Sequence, residues 1–316
     1  MAEDILAFSK EEHAKRDERA LGVRRQIEDE WREGWELFDA VVFSAQQSGF
    51  LLGTRSSEID DEYSAVRLAL LAIHVTAVST LQEIGVLLRA GFWAGASGRW
   101  RSLHELAVTS RVVAEYGPHI AQRYLDHGFI VQTRRLVEFY KRHGRGPVGQ
   151  DELQHRQAEA DRLVSVYVSN EVRGPFHMEY GWAATLMPRA KKDSSVRIRP
   201  TLVELEKLVG AAEDRLLVTS AHGIVHVDSA GVMAVAFADE GMVLGPTPAH
   251  IAAVARPTMR STSILMDSTI LGSEPVLDDH AMVMALNAAA TAELAMRAIQ
   301  TFTPIDDREG RVASDT

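Results

Sequence analysis

The sequence predicts a predominantly all-α fold, a multi-helix bundle with one short β-hairpin near residues 231–245. Three observations predict it. Apolar residues recur at spacings of three and four through most of the chain, the period of an α-helix face. Glycine and proline pairs punctuate the stretches between them. The chain is 46% apolar and 25% charged, ordinary values for a chain that buries a full core.

Residues 9–50 read as one long helix or two in succession. Trp31, Trp35, Phe38, Val42 and Ala45 form one apolar stripe, while the preceding half is nearly all charged. A second helix starts within SSEIDDEYSAV, with Ser57 or Asp60 as cap and acids in its first turn, and runs to about Arg89. Gly91, Gly95 and Gly98 then mark a turn or a close helix approach. The next helix, Arg99 to Tyr116, is stopped by Gly117-Pro118, and Pro118 suits the first turn of the helix that continues to His143. After GRGPVG, a helix covers Asp151 to about Val168. Residues 170–200 are the longest irregular stretch. Thr201 starts another helix with Glu204 at capping-box spacing, and a further piece carries Asp214 to about Val225. GVMAVAF, ADEG and MVLG read as the hairpin, closed by Pro246 and Pro248. Helices from about Thr247 to Gly272 and Leu277 to Phe302 complete the chain. This divides into an acidic helical extension over 1–55, a single helical domain over 56–303 and a disordered tail over 304–316.

The net charge of −10 is not that of a typical nucleic-acid binder, since phosphate contact needs a positive surface. The charge is uneven. Residues 1–62 carry 16 acids against 8 bases, whereas residues 118–146 carry six bases against two acids and 186–199 five bases against one. There is no cysteine, which excludes disulfides, thiolate metal sites and cysteine nucleophiles. The charged N-terminus lacks a signal-peptide core, and no stretch approaches the roughly 20 uncharged apolar residues of a membrane span, so the expected location is cytoplasmic with no membrane partner. The phosphate loop GxxxxGK, HExxH and GxSxG are missing.

Three segments carry candidate chemistry. In RWRSLHEL, Arg101 and Glu105 are four apart and share a helix face, while His104 points about 100° away. The pair is either a structural ion pair or an anion contact by Arg101 oriented by Glu105. In SAHGIVHVDSAG, His222 and His226 share a face and suit acid–base work or metal ligation, with Glu105, His104, Glu83 or Asp228 as further ligands, or else they are structural. Gly223 between them implies that something approaches the backbone closely. In FHMEYGWA, Tyr180 and Trp182 line a ligand pocket, with His104, or staple the loop to the core. Two Arg-to-His spacings, Arg99 to His104 and Arg215 to His222, fit the logic in which arginine stabilises phosphorane charge and histidine moves a proton.

Taken in order, LLRAGFWAGASGRWRSLHELAVTSRVV, EYGWA and SAHGIVHVDSAGV resemble a bacterial all-helical family of unknown function that is HEPN-like (higher eukaryotes and prokaryotes nucleotide-binding), over residues 60 to 245. His222 departs from that pattern, which often has serine there. The resemblance implies a helical fold, a homodimer, and convergence of Arg101, Glu105 and His226. The leading reading is action on RNA or a nucleotide in phage defence or stress response, without cofactor or metal, in which Arg101 binds phosphate, Glu105 orients it and His226 or His222 is the acid–base. The alternative is a non-catalytic sensor or scaffold binding a protein or small ligand. A metalloenzyme built on His222 and His226 is the third reading.

Overall fold

In a computed structural model of the protein, the described residues are 2–58, 60–167, 176–189, 197–237, 245–272 and 279–302. The chain is predominantly helical. The helices are α1 (Ala2–Glu30), α2 (Arg32–Glu58), α3 (Ser64–Arg89), α4 (Trp93–His143), α5 (Gln150–Tyr167), α6 (Leu202–Leu208), α7 (Arg215–Val225), α8 (Ser229–Ala236), α9 (Ile251–Leu271) and α10 (Asp279–Thr301). Among the described residues there is no sheet; Arg189 and Arg197 make an isolated antiparallel bridge.

The core is a ring of helices in which α2 packs on α3, α3 on α4, α4 on α9, α9 on α10, and α10 back on α2. The apolar stripe of α2 explains its place. Trp31, Trp35, Phe38 and Ala45 are buried, and Phe302 after α10 lies 5.6 Å from the Trp31 ring and 5.0 Å from Trp35. Gly34 makes room for it, since a Cβ there would meet Phe302 at 2.9 Å. Residues 32–58 therefore belong to the same core as the rest of the bundle. By length and composition α3 and α10 could each cross a bilayer, unlike the sequence-based expectation; α3 directs thirteen of its residues into the bundle.

Local signals explain the joints. Asp61 organises the start of α3: its carboxylate accepts from Tyr63 N at 2.8 Å and pairs with the buried Arg67, while Asp60 accepts from Ser64 Oγ at 3.3 Å and the Ser57 side chain lies outside the described residues. Gly91 takes φ +79 and its carbonyl accepts from Thr247 N, so the α3–α4 turn is tied to the segment before α9. Gly98 lets α4 approach Val225 of α7. At Gly117 (φ 69, ψ −156) α4 breaks and restarts with Pro118, where the sequence places a stop and a first turn. Thr201 caps α6, accepting from Glu204 N at 3.3 Å. The Gly144–Gly149 run has GxGxxG spacing, but it joins α4 to α5 with no strand before it, so it lacks the context of a dinucleotide site.

The hairpin is the correction. Residues 229–236 form α8 instead of a strand, and 238–244, the remainder of the predicted turn and second strand, lie outside the described residues, as does the tail. The reason is long-range. Asp228 caps α8, accepting from Gly231 N at 2.7 Å, and α8 crosses α7 so closely that a Cβ on Gly231 would sit 2.5 Å from the Gly223 backbone. A short apolar run fits strand or helix equally well, and the cap and crossing decide it. The close approach expected at Gly223 is thus made by its own helical neighbour. Gly231→Ala should destabilise the protein by about 1–3 kcal/mol through overpacking, despite alanine's better helix propensity. Chemical denaturation followed by circular dichroism measures it; an unchanged midpoint would contradict the crossing.

Candidate functional site

Three elements converge around the first half of α4. Arg101 and Glu105 face outward, one turn apart, with Nη1 and Oε2 3.6 Å apart and both side chains partly exposed. Tyr180 donates its hydroxyl to Glu105 Oε1 at 2.7 Å. Tyr180 adopts φ +58, a left-handed conformation rare for a non-glycine residue, at the start of a short 3-10 turn over Gly181–Leu186. Burial, then the charge of Glu105, pushes its phenol well above the ordinary tyrosine range, so it remains a donor. The turn is held to α4 by Arg123, a buried side chain whose Nε donates to the Trp182 carbonyl at 2.7 Å. Its guanidinium lies 4.8 Å from the Tyr167 ring and 5.0 Å from Phe176.

His104, one residue from Glu105, goes the other way. It is buried, with Nε2 3.1 Å from Glu206 Oε1 of α6 and Nδ1 3.4 Å from Ser261 Oγ of α9. Trp100 Nε1 donates to the same serine at 3.2 Å. Arg215 Nη1 reaches Glu206 Oε2 at 3.2 Å, completing a chain that joins α4, α6, α7 and α9. His104 therefore lies in this interior network and lines neither cleft described below. The two Arg-to-His spacings part company here: Arg99 pairs with Glu83 on α3 while His104 is interior, whereas Arg215 and His222 lie along one helix and open onto one cleft.

That cleft, about 290 Å³, is lined by Arg101, Arg199, Arg215 and His222 together with Glu179 and Tyr180. Arg199 has no ion-pair partner among the described residues. The Arg101 Nε is buried without a hydrogen-bond partner. His222 is exposed on α7, its ring 4.1 Å from that of His226. Partial desolvation lowers its pKa from the ordinary 6.5, and His226 and Arg101 push the same way, with Asp228 opposing. An imidazole that is neutral at pH 7 can accept a proton. His226, at the end of α7, does not line the cleft itself.

A second cleft, about 1070 Å³, opens between α3 and both halves of α4. Glu105, Tyr180 and Trp182 line it, and the two clefts share Glu179 and Tyr180 in their walls. Tyr124 stands edge-on to Trp182 at 5.2 Å. Among the described residues no three His, Asp or Glu side chains gather as a metal site, and Asp228 and Glu83 are occupied as cap and ion-pair partner.

Sequence reasoning singled out Arg101, Glu105, His222, Tyr180 and Trp182, which the fold brings to these two clefts. It missed Arg199, Arg123 and Glu206. Arg199 had a signal, since it ends the basic stretch 186–199. Arg123 and Glu206 had none: the carbonyls that Arg123 reaches lie 58 and 59 residues away, and His104, the buried partner of Glu206, lies 102 residues away.

The model of a family of unknown function (DUF5677) matches residues 67–242, more than half of the chain. No curated protein and no solved structure matches it significantly.

Proposed function

Since the chain belongs to this family of unknown function, we propose from its own geometry that it is a HEPN-like protein that cleaves RNA phosphodiester bonds without a metal, at the Arg–His cleft. One observation carries the reading: three guanidinium groups and one imidazole of lowered pKa line a single small cleft. Arg199, unpaired, takes a phosphate oxygen, and Arg101 and Arg215, oriented by Glu105 and Glu206, stabilise the charge that builds on phosphorus. His222 accepts the 2′-hydroxyl proton as that oxygen bonds to phosphorus. The bond to the 5′-oxygen breaks, the leaving oxygen takes its proton from water, and the His222 imidazolium returns to solvent the proton it took. The products are a 2′,3′-cyclic phosphate and a 5′-hydroxyl.

The test is cleavage of varied RNAs by the purified protein in EDTA, with folding checked by circular dichroism. His222→Ala should lower the rate at least about 100-fold with helicity intact. Because the neutral imidazole is the base, the rate should rise with pH through an apparent pKa below 6.5 and level off above it. No cleavage by wild type on any RNA would remove the nuclease reading. The sensor or scaffold would then stand, using the same arginines to bind an anionic ligand without turnover.

A further inference from the structure

The anion cleft does not stand alone. Its wall of Glu179 and Tyr180 is also the wall of the larger cleft, and the Arg101–Glu105 pair spans the two along one turn of α4. One turn, a rise of about 5.4 Å, is a span that a single ribose covers. The two compartments differ in chemistry. The smaller is cationic. The larger is aromatic and of mixed charge: Tyr124 and Phe129 supply ring surface, Glu105 and Glu179 supply carboxylate acceptors, and Arg135 and the Glu83-paired Arg99 also line it. Glu179 has no ion-pair partner among the described residues, so its oxygens are available to a ring N–H or an exocyclic amine. At about 1070 Å³ the larger cleft matches the upper end of small-molecule sites, which run to roughly 1,000 Å³.

We infer that the larger cleft is a nucleobase subsite, so that the two clefts together hold one nucleotide unit with its phosphate against Arg101, Arg199 and Arg215 and its base beside Tyr124 and Phe129. The inference rests on the reading of the smaller cleft as a phosphate site. The base is held by ring contact, with donors on its edge turned to Glu105 and Glu179, while the sugar crosses the Glu179–Tyr180 wall. This arrangement selects a nucleotide over a sugar phosphate, because only the base reaches the aromatic compartment.

Calorimetric titration of the full chain with inorganic phosphate, ribose 5-phosphate and adenosine 3′-monophosphate tests it. The nucleotide should bind about tenfold or more tighter than the sugar phosphate, the gain that stacking a base provides. Tyr124→Ala should remove that gain and leave phosphate affinity unchanged. Thr76→Trp, at an exposed α3 position on the rim of the larger cleft, should do the same without disturbing the core. Arg199→Ala should weaken all three ligands. A 2′-deoxytrinucleotide binding tighter than the mononucleotide identifies a polymer as the source, and equal affinity identifies a free nucleotide; either upholds the subsite. Phosphate binding with no gain from the base overturns the subsite and leaves the anion cleft standing. No phosphate binding at all overturns the anion cleft and the subsite with it.

Discussion

Arg215→Ala should destabilise the protein by about 3–5 kcal/mol, the cost of leaving a buried charge without its partner. The asymmetry of the pair decides the size. The Arg215 side chain is 42% exposed, whereas Glu206 is 1% exposed. Removing Glu206 would leave an arginine that can turn to water and one buried imidazole group short of a partner, at about 1–3 kcal/mol. Removing Arg215 instead leaves a carboxylate in the interior with only His104 beside it. Glu206→Gln placed on the Arg215→Ala background should therefore recover a large part of the loss. Urea denaturation of the two single variants and the double variant measures this cycle; simple additivity would show that the carboxylate is not relying on Arg215. Because Arg215 also lines the Arg–His cleft, the proposed nuclease reading has its variant lose RNA cleavage for two reasons. Arg199→Ala, which breaks no ion pair among the described residues, is the cleaner probe of phosphate contact.

Arg123→Ala should have an effect of similar size, about 3–4 kcal/mol, by a different route. A charged hydrogen bond contributes about 1.5–3 kcal/mol and a desolvated cation–π contact up to about 2 kcal/mol. Arg123 makes hydrogen bonds to the Trp182 and Gly181 carbonyls and lies beside the stacked Tyr167 and Phe176 rings. Its loss strands the Trp182 carbonyl and frees the segment carrying Glu179 and Tyr180, the wall that both clefts share. Arg123→Lys keeps the charge but not the fork, and should fall between wild type and alanine. Limited proteolysis around residues 176–186, alongside the denaturation midpoint, reads both consequences. A stable Arg123→Ala variant with that segment still protected would show that the arginine does not anchor it.

The Arg101–Glu105 contact was legible because it depends only on helical spacing. The break at Gly117-Pro118 and the Thr201 cap were legible because φ preferences and capping act within a few residues. The hairpin was misread because the apolar run from Val232 to Phe237 satisfies both periods. What made it helical was an Asp228 cap together with a crossing onto Gly223. His104 and Glu105 show the same limit from the other side. Adjacent in sequence, one is interior and the other lines a cleft, because Glu206 and Ser261 approach one face of α4 and Tyr180 the other.

By itself, then, the sequence determined a predominantly helical chain, most of its helix boundaries, the membership of an uncharacterised family and the ion pair on α4. Each of these depends on contacts within a turn or two of helix, or on pattern along the chain. Only the tertiary structure decided that Arg101, Arg199, Arg215 and His222 share a cleft, that His104 does not, and that Arg123 anchors the wall between two clefts. Those outcomes depend on where helices distant in sequence cross. Crossing positions follow from the packing of whole faces, and no local spacing encodes them.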